Sequence, residues 1–218
     1  MTDRDARAAG RGILLVVAGP SGVGKGTMIS GLLERHPRVQ WSVSCTTRDP
    51  RPGEVDGRDY HFVSPAEFER MIAAGELLEW AIVHGTHAYG TPRVPVEEAL
   101  AAGQDMVLEI DYQGARSIRQ ALPEAVLVFV APPSTEALLA RLEGRNTEEP
   151  EAVLRRLRSA RTEFRHMGIF HFLIVNDDLG AAIDALEAVY LAERQRLHRA
   201  DWQGLQARLL GEMEERLS

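Results

Sequence analysis

Apolar residues occur along this chain in short continuous runs, separated by segments with helical periodicity. The runs at 13–18, 106–110, 125–130 and 172–175 are rich in Val, Ile and Leu, and a shorter run at 41–44 follows the first helical segment. Continuous apolar runs of this length are typical of strands covered on both faces, as in a parallel sheet. The pattern therefore predicts an α/β fold in which a parallel sheet is wrapped by helices.

The segments that connect these runs carry the helical pattern. Apolar residues recur there at intervals of three and four positions, in 25–34, 96–102, 114–120, 135–143, 150–164 and 179–196. The last stretch, 201–217, is amphipathic and predicts a further helix. We expect this helix to pack on the domain or to end in a frayed tail, with an oligomer contact as the alternative.

Two segments interrupt the alternation of strands and helices. The first, 42–95, is rich in Pro, Gly and Thr and contains short strands at 60–63 and 77–83 and a short helix at 65–73. The second, 143–158, joins a polar turn to an Arg-rich helix. We expect both segments to leave the sheet and to reach over a ligand bound at its edge.

Composition limits the possible functions. A net charge of −7 argues against non-specific binding to nucleic acid. No apolar run approaches the roughly 20 residues that span a bilayer, so we expect no membrane contact. Residues 1–11 lack an apolar signal segment and are expected to form a flexible tail. Cys45 is the single cysteine and cannot form an internal disulfide, which favours a cytoplasmic location.

The only lysine among the 218 residues lies in a glycine-rich segment directly after the run at 13–18. This segment, the phosphate loop, consists of Gly19, Pro20, Ser21, Gly22, Val23, Gly24, Lys25, Gly26 and Thr27. A strand, a glycine-rich turn, a lysine and a helix in this order bind polyphosphate through inward-facing N–H groups and the helix dipole. Lys25 supplies a point charge that can bridge the β- and γ-phosphates. The loop therefore predicts a site for a nucleoside triphosphate.

The residue after Lys25 departs from the strict loop pattern. That pattern has a serine or threonine there, whose hydroxyl ligates Mg²⁺. This chain has Gly26, followed by Thr27. We therefore expect Mg²⁺ to be held mainly by nucleotide phosphates and water, with the Thr27 hydroxyl on a phosphate.

A second anion site is predicted beyond the first helix. Arg48 and Arg51 lie three residues apart in a turn stiffened by two prolines. Two arginines on one side of such a turn suit a doubly charged phosphate that accepts paired hydrogen bonds. Tyr60 and Tyr89 can each add a hydroxyl donor. For this segment taken alone, a solvated charged loop remains the alternative.

Several ordered motifs extend this interpretation. They comprise Ser44, Thr46, Thr47, Arg48, Pro50, Arg51, Gly53, Glu54, Asp59, Tyr60, Phe62, Leu78, Glu79, Trp80, Ala81, Tyr89, Gly90, Thr91, Glu109, Ile110, Asp111, Gln113, Gly114, Val175, Asn176, Asp177 and Asp178. In this combination, over residues 12–196, the chain resembles the guanylate kinases. The resemblance implies Mg²⁺-dependent transfer of the γ-phosphoryl group of ATP to GMP, with dGMP as a second acceptor, giving GDP and ADP.

The resemblance also assigns the acceptor residues. The phosphate of GMP would be held by Arg48, Arg51, Tyr60 and Tyr89, and guanine would be recognised by Glu79, Thr91 and Ser44. A carboxylate such as that of Glu79 can accept from N1–H and the N2 amine of guanine together, and adenine offers no such pair. Asp111 would lie near the GMP ribose or base and is the one candidate for a direct metal ligand. Glu109 stands where the family commonly has Asp.

On the donor side, the resemblance implies a lid that closes over the ATP phosphates. Its cations would be Arg141, Arg145 and Arg156. Together with Lys25 and Arg48 they form the predicted catalytic set, because positioned cations stabilise the charge of the transferring phosphoryl group. For each lid arginine, an ordinary surface position on a helix is the alternative. Asn176 and Asp177 would lie near the adenine end, with structural capping as the alternative.

The implied fold is that of a nucleoside monophosphate kinase with a phosphate loop. Its predicted parts are a tail at 1–11, a core at 12–41, 96–134 and 159–197, an inserted mixed α/β GMP-binding subdomain at 42–95, a helical lid at 135–158 and a C-terminal helix at 198–218. Two alternatives to a guanylate kinase are weighed. A guanylate-kinase-like binding module would lack a working phosphate loop, and a kinase for another monophosphate would not need Glu79 with Thr91.

Overall fold

The computed structural model describes residues 11–83, 87–143 and 150–217 of the chain. The strands in this part are β1 (Leu14–Ala18), β2 (Gln40–Trp41), β3 (Cys45–Thr46), β4 (His61–Phe62), β5 (Leu77–Val83), β6 (His87–Pro92), β7 (Met106–Glu109), β8 (Val126–Ala131) and β9 (Phe172–Val175). The helices are α1 (Lys25–Arg35), α2 (Pro65–Ala73), α3 (Arg93–Ala101), α4 (Tyr112–Ala121), α5 (Thr135–Glu143), α6 (Pro150–Arg165), α7 (Leu179–Arg194) and α8 (Trp202–Leu217). The predicted N-terminal tail lies outside the described residues, except for Arg11.

The larger sheet has five parallel strands in the order β2-β7-β1-β8-β9. Its central strand, β1, is buried along its whole length. Leu15 and Val17 pack on the face that α1 and α7 cover, and Leu14 and Val16 pack on the face that α3 and α4 cover. Because both faces of β1 are covered, an apolar side chain is favoured at every position rather than at alternate ones. The predicted parallel sheet wrapped by helices is confirmed.

The smaller sheet has four strands in the order β4-β3-β6-β5 and mixes parallel and antiparallel pairs. Helix α2 packs on it through Phe68, which forms a small core with Cys45 and Leu77. Helix α2 begins with Ser64 as its N-cap, because the Ser64 hydroxyl accepts from Glu67 N–H at 3.1 Å and Pro65 occupies the first turn. The bounds predicted for α2 and β5 are both confirmed.

Some local predictions are wrong. The strand expected at 41–44 ends at Trp41, because the chain leaves the large sheet after Ser42 N–H donates to Val107 and enters the small sheet at Cys45. The sequence pattern does not predict strand β6, because Gly90 and Pro92 interrupt the run of strand-forming residues. Helix α3 begins at Arg93 rather than at 96, because Pro95 lies in its first turn, where the missing N–H removes no helical bond.

Burial at two places also differs from the sequence prediction. Strand β9 lies at the sheet edge, and Leu173 and Val175 are 56% and 50% exposed, so this strand is covered on one face only. The helix predicted at 201–217 is confirmed as α8, but its residues remain exposed apart from the partly exposed Gly211. Packing of α8 on the domain is therefore not observed. In the described ranges, no helix combines the length and apolar character that a membrane span requires.

Candidate active site

A cleft of about 390 Å³ opens between the phosphate loop and the small sheet. It lies at the carboxyl ends of β1 and β7, where open parallel sheets bind their ligands. The residues that line it come from both halves of the molecule: Gly19, Ser21, Gly22, Gly24, Lys25, Gly26, Thr27, Ser44, Arg51, Tyr60, Glu79, Ala81, Tyr89, Gly90, Glu109, Ile110, Asp111, Arg156 and Glu163. The fold thus brings residues of the predicted triphosphate site and of the predicted acceptor site into one cavity, while Arg48, Thr91, Arg141, Asn176 and Asp177 are not among its lining residues.

Lys25 is held in place by its own loop. Its ammonium donates to the carbonyl oxygens of Gly19 at 2.7 Å and Pro20 at 3.1 Å, and Nζ lies 3.8 Å from Glu109 Oε1. The side chain is only 11% exposed. Helix α1 begins at Lys25, and its first turn contains no acidic residue, so the positive end of its dipole faces the cleft, where the Glu109 carboxylate lies close to Lys25 and Gly26. This arrangement favours an anion beside Lys25.

The phosphate loop is braced from behind by Asn176. The Asn176 amide is buried and donates from Nδ2 to the Val23 carbonyl oxygen at 2.8 Å. Gly24 has a φ of 94°, and a Cβ at this position would lie 2.5 Å from Asn176 Nδ2. Glycine is therefore required at position 24 both by the backbone and by the close approach of Asn176. The Val23 side chain packs into the core, so only its backbone can contact a phosphate.

The donor-side arginines fall into three situations. Arg141, on α5, donates from Nη2 to the Asn176 carbonyl oxygen at 2.9 Å, while its buried Nη1 has no hydrogen-bond partner among the described residues. Arg156, on α6, lines the cleft. The predicted lid residue Arg145 lies outside the described residues.

Asp177 is exposed next to the buried Asn176. The assignment of Asn176 and Asp177 to ATP stays a prediction, but the amide of Asn176 is committed to the loop.

Metal binding depends on the space beside Gly26. A Cβ at this position would lie 3.3 Å from Glu109 Oε2 and 3.5 Å from the Trp41 ring, so the Glu109 carboxylate stands beside the place where the strict pattern has a hydroxyl. In the described ranges, no three acidic, His or Cys side chains lie close enough together to hold a metal ion. The oxygen donors of the cleft nevertheless fit Mg²⁺, which prefers oxygen ligands and retains several waters. Glu109 and Asp111 are two of the residues that line the cleft with such oxygens.

The acceptor side is organised around a buried carboxylate, that of Glu79. Glu79 and Thr91 lie opposite each other on β5 and β6, and Thr91 Oγ1 donates to Glu79 Oε1 at 2.6 Å. Burial raises the pKa of Glu79 to about 7, with Asp111 adding to the rise and the Thr91 hydrogen bond opposing it. A Cβ at Gly114 would collide with Glu79 Oε2, so the start of α4 leaves room for this carboxylate only because residue 114 is glycine.

Asp111 has a structural task in this arrangement. It is the N-cap of α4, and its Oδ1 accepts from the N–H groups of Gln113 and Gly114, each at 2.9 Å. Its Oδ2 accepts from the Gln113 side chain at 3.0 Å. Asp111 nevertheless lines the cleft, together with Glu79 and residues of the phosphate loop. The capping hydrogen bonds already hold the Asp111 carboxylate in position, so its predicted contact with GMP or with metal-bound water would be made in addition to them.

Arg48 is largely satisfied by protein groups. It donates to both carboxylate oxygens of Glu54 at 2.9 Å, to the Asp49 carbonyl oxygen at 2.6 Å and to the Tyr89 hydroxyl at 3.2 Å. The guanidinium also lies over the Tyr60 ring, 5.3 Å from its centroid. Since arginine has five N–H groups, these four bonds leave one Nη2 proton for a ligand. Arg48 is thus positioned before any ligand binds.

The remaining acceptor residues lie in the cleft wall. Arg51 is exposed, and its backbone N–H donates to Glu54 Oε2 at 2.7 Å, so Glu54 holds both arginine positions. Ser44, Tyr60 and Arg51 line the same cleft as the phosphate loop. These side chains give the cleft a cationic and hydroxyl-rich wall, which suits a phosphate monoester.

One cleft residue escapes the sequence analysis altogether. Glu163, on α6, is only 7% exposed and lines the cleft seven residues after Arg156. The signal was present, because Glu163 falls on the helix face that also carries Leu157, Ala160 and Phe164, which pack into a small core. An acidic residue within an apolar stripe is the pattern that marks it.

Comparisons with known proteins show the family to which this chain is similar. A family model described as guanylate kinase matches residues 11–193. A protein named guanylate kinase from Symbiobacterium thermophilum is 55% identical over 189 residues, which cover 87% of this chain and 89% of that protein. One of the same name from Nocardia farcinica is 53% identical over 187 residues, covering 85% and 97%.

A solved structure gives the same answer at the level of the fold. The crystal structure of guanylate kinase from Anaplasma phagocytophilum superposes with a TM-score of 0.73 at 33% identity, and the match covers 89% of this chain and 92% of that one. The family model alone spans well over half of the chain, and the sequence relatives extend over nearly the same residues. The chain belongs to the guanylate kinase family.

Proposed function

We propose that this chain catalyses transfer of the γ-phosphoryl group of ATP to GMP, giving ADP and GDP, with dGMP as a second acceptor. The observation that carries the proposal is the shared cleft. Lys25 of the phosphate loop and the buried Glu79–Thr91 pair line or border the same cavity of about 390 Å³. A donor triphosphate and an acceptor nucleotide bound there would meet end to end.

In the proposed reaction, a phosphate oxygen of GMP attacks the γ-phosphorus of ATP. A new P–O bond forms to GMP while the bond from the γ-phosphorus to the β,γ-bridging oxygen breaks, and its electron pair leaves with ADP. The transition state carries charge on three equatorial oxygens, so positioning and cations supply the catalysis. Bound Mg²⁺ supplies further neutralisation of the phosphate charge. Lys25 and Arg156 line the cleft and supply cationic groups for this role, with Arg141 braced behind the loop.

The acceptor wall accounts for the choice of nucleotide. Arg51, Tyr60 and the remaining Arg48 proton would bind the GMP phosphate, and the ionised Glu79 carboxylate would accept from N1–H and the N2 amine of guanine. Adenine presents a lone pair at N1 and would face this carboxylate as a second acceptor. A buried site built on such hydrogen bonds rejects the wrong base strongly.

The same features support an enzyme over a binding module. A module that only captures a phosphorylated peptide needs the acceptor wall but has no use for Lys25, for the bracing Asn176 or for Arg156. This chain retains them, and Lys25 is placed in the cleft. We place the reaction in the cytoplasm, where nucleotides are abundant and the single Cys45 stays reduced.

A coupled assay tests the proposal. ADP formation would be followed with ATP, Mg²⁺ and one acceptor at a time, chosen from GMP, dGMP, AMP, UMP and dTMP. We expect rapid turnover with GMP, slower turnover with dGMP and at least about 10³-fold lower efficiency with AMP. Preferred phosphorylation of another monophosphate would overturn the assignment, and absence of turnover with all five would favour the binding module.

A further inference from the structure

Glu163 is a buried carboxylate that has no role in the proposed reaction as described above. It is 7% exposed, and its Oε2 is buried without a hydrogen-bond partner among the described residues. Buried polar atoms in folded proteins nearly always have a partner, and an exception inside a ligand cleft calls for one supplied by the ligand. Glu163 lines the cleft together with Lys25 and Asp111.

The position of Glu163 is fixed by its helix. The C-terminal end of α6 is attached to α4, because the His166 ring stacks on the Tyr112 ring with centroids 4.5 Å apart and an interplanar angle of 20°. The neighbouring Phe164 packs against Phe129 in the core, at 6.0 Å between ring centroids. These contacts hold the part of α6 that carries Glu163 at the wall of the cleft.

The charges around Glu163 do not balance. Burial raises the pKa of Glu163 to about 7, with Lys25 opposing the rise and Asp111 adding to it. Lys25 is shared, because its ammonium also lies 3.8 Å from Glu109 and donates to loop carbonyls. Four carboxylates, those of Glu79, Glu109, Asp111 and Glu163, thus line the cleft together with three cations, Lys25, Arg51 and Arg156, and the cleft would also receive the phosphates of two nucleotides. The anionic groups would then outnumber these cations, which favours a further cation.

We propose that Glu163 is a positioning residue for the hydrated Mg²⁺ that accompanies the donor nucleotide, accepting a hydrogen bond from a metal-bound water. The inference rests on the proposed function, since it assumes that Mg²⁺·ATP binds at the phosphate loop. Two observations favour contact through water. Among the described residues no three acidic, His or Cys side chains gather at one metal position, and Mg²⁺ usually keeps several of its waters.

The position of Glu163 on α6 adds a consequence. Arg156 lies two turns earlier on the same face of this helix and also lines the cleft. A carboxylate that engages the hydrated metal would draw α6 towards the donor phosphates and bring Arg156 with it. Glu163 would therefore favour the metal-loaded nucleotide and disfavour the metal-free one.

Calorimetric titration of ATP, without any acceptor, tests this inference in the presence of Mg²⁺ and in the presence of EDTA. The variants are the wild type, Glu163→Gln and, as a matched control, Glu151→Gln, which removes an exposed carboxylate from the same helix. We expect Glu163→Gln to weaken binding of Mg²⁺·ATP and to strengthen binding of metal-free ATP. The factor by which Mg²⁺ improves binding should fall about tenfold. Glu151→Gln should leave both dissociation constants unchanged.

The opposite signs separate this role from a structural one. A variant that merely loosens α6 would change both dissociation constants in the same direction, and that result overturns the inference, as does an unchanged Mg²⁺ factor in Glu163→Gln. Thermal melting of both variants shows whether they are folded. If Lys25→Ala binds ATP with the same dissociation constant as the wild type, the proposed function itself fails, whatever the result for Glu163→Gln.

Discussion

The donor and acceptor halves of the cleft are built in opposite ways. The centre of the donor half is one continuous segment, the phosphate loop 19–27, whose ligand groups are mainly backbone N–H groups and one ammonium held by its own loop carbonyls. The acceptor half is assembled from side chains of separate strands, such as Glu79 with Thr91 and Arg48 with Tyr89. The phosphate loop therefore carries a single cation, Lys25, whereas the acceptor half depends on pairs that fix each other before a nucleotide arrives.

This difference predicts that the largest loss follows from removing the donor cation. Lys25→Ala should lower kcat by about 10³-fold or more, because the preorganised charge at the transferring phosphates is lost. Lys25→Arg should also be severely impaired, since a planar fork cannot take the place of a point charge. The measurement is steady-state turnover with ATP and GMP, with the dissociation constant for GMP alone as the control. Turnover near the wild-type value would remove the loop from the mechanism.

The next largest effect is expected at the acceptor base. Glu79→Gln replaces one carboxylate oxygen by an NH₂ donor that faces a donor of guanine, which should cost about 2–4 kcal/mol of transition-state stabilisation for GMP. Discrimination against AMP should shrink in the same variant. Comparing kcat/KM for GMP and AMP checks both effects, with Glu69→Gln on the exposed face of α2 as the control. Unchanged efficiency and selectivity would mean that another residue recognises the base.

Acceptor recognition should also depend on pH. Because burial raises the pKa of Glu79 to about 7, the carboxylate is increasingly protonated below that pH and loses an acceptor. The kcat/KM for GMP should therefore fall as pH decreases, approaching about tenfold per unit, and should level off above pH 7. The phosphate of GMP titrates nearby, with a pKa of about 6. Its contribution cancels in the ratio of wild type to Glu79→Gln, so a constant ratio between pH 6 and 8 would contradict the prediction.

A smaller effect is expected from the residue that positions Arg48. Glu54→Gln breaks the bidentate ion pair with Arg48, so the Arg48 guanidinium loses its fixed orientation. KM for GMP should therefore rise about tenfold. KM for ATP should stay unchanged. Glu76→Gln is the matched control, because Glu76 forms a similar pair with Arg70 on the exposed surface of the same subdomain. Equal increases in both KM values would place Glu54 outside the acceptor half.

The smallest effect is expected behind the phosphate loop. Asn176→Ala leaves the buried Val23 carbonyl oxygen without its donor and should lower the free energy of unfolding by about 1–2 kcal/mol. KM for ATP should rise a few-fold because the loop loses its brace, while KM for GMP stays constant. Chemical denaturation and the two KM values provide the measurements. A change in KM for GMP without a change in KM for ATP would contradict this explanation, because it would show that Asn176 supports the acceptor half of the cleft.

The contrast between the halves also explains what the sequence can predict. The phosphate loop and the strand before it are recognisable because their ligand groups are contiguous, and the continuous apolar residues of β1 follow from burial on both faces. The parallel sheet and the two excursions from it follow from the same pattern. The bounds of β5 and α2 are predictable because a helix N-cap and an apolar strand mark them locally.

Other features depend on contacts between distant residues. The sequence does not show that Arg48 is already bonded to Glu54 and Tyr89, because this requires β3 and β6 to pair. The bond from Asn176 to Val23 joins residues 153 positions apart. Glu163 acquires its importance only when the fold brings α6 to the cleft that Lys25 and Asp111 also line. In each case the missing information is the partner, since the residue type alone allows several environments.

The single lysine has a consequence for proteolysis. A protease that cleaves only after lysine finds one bond in these 218 residues, Lys25–Gly26, and that bond lies at the start of α1 with the side chain bonded to Gly19 and Pro20. Cleavage there requires local opening of the phosphate loop, so its rate measures how often the loop unfolds while the rest of the chain stays native. A nucleotide that binds Lys25 should protect this bond, and one that occupies only the small-sheet wall should leave it as susceptible as before.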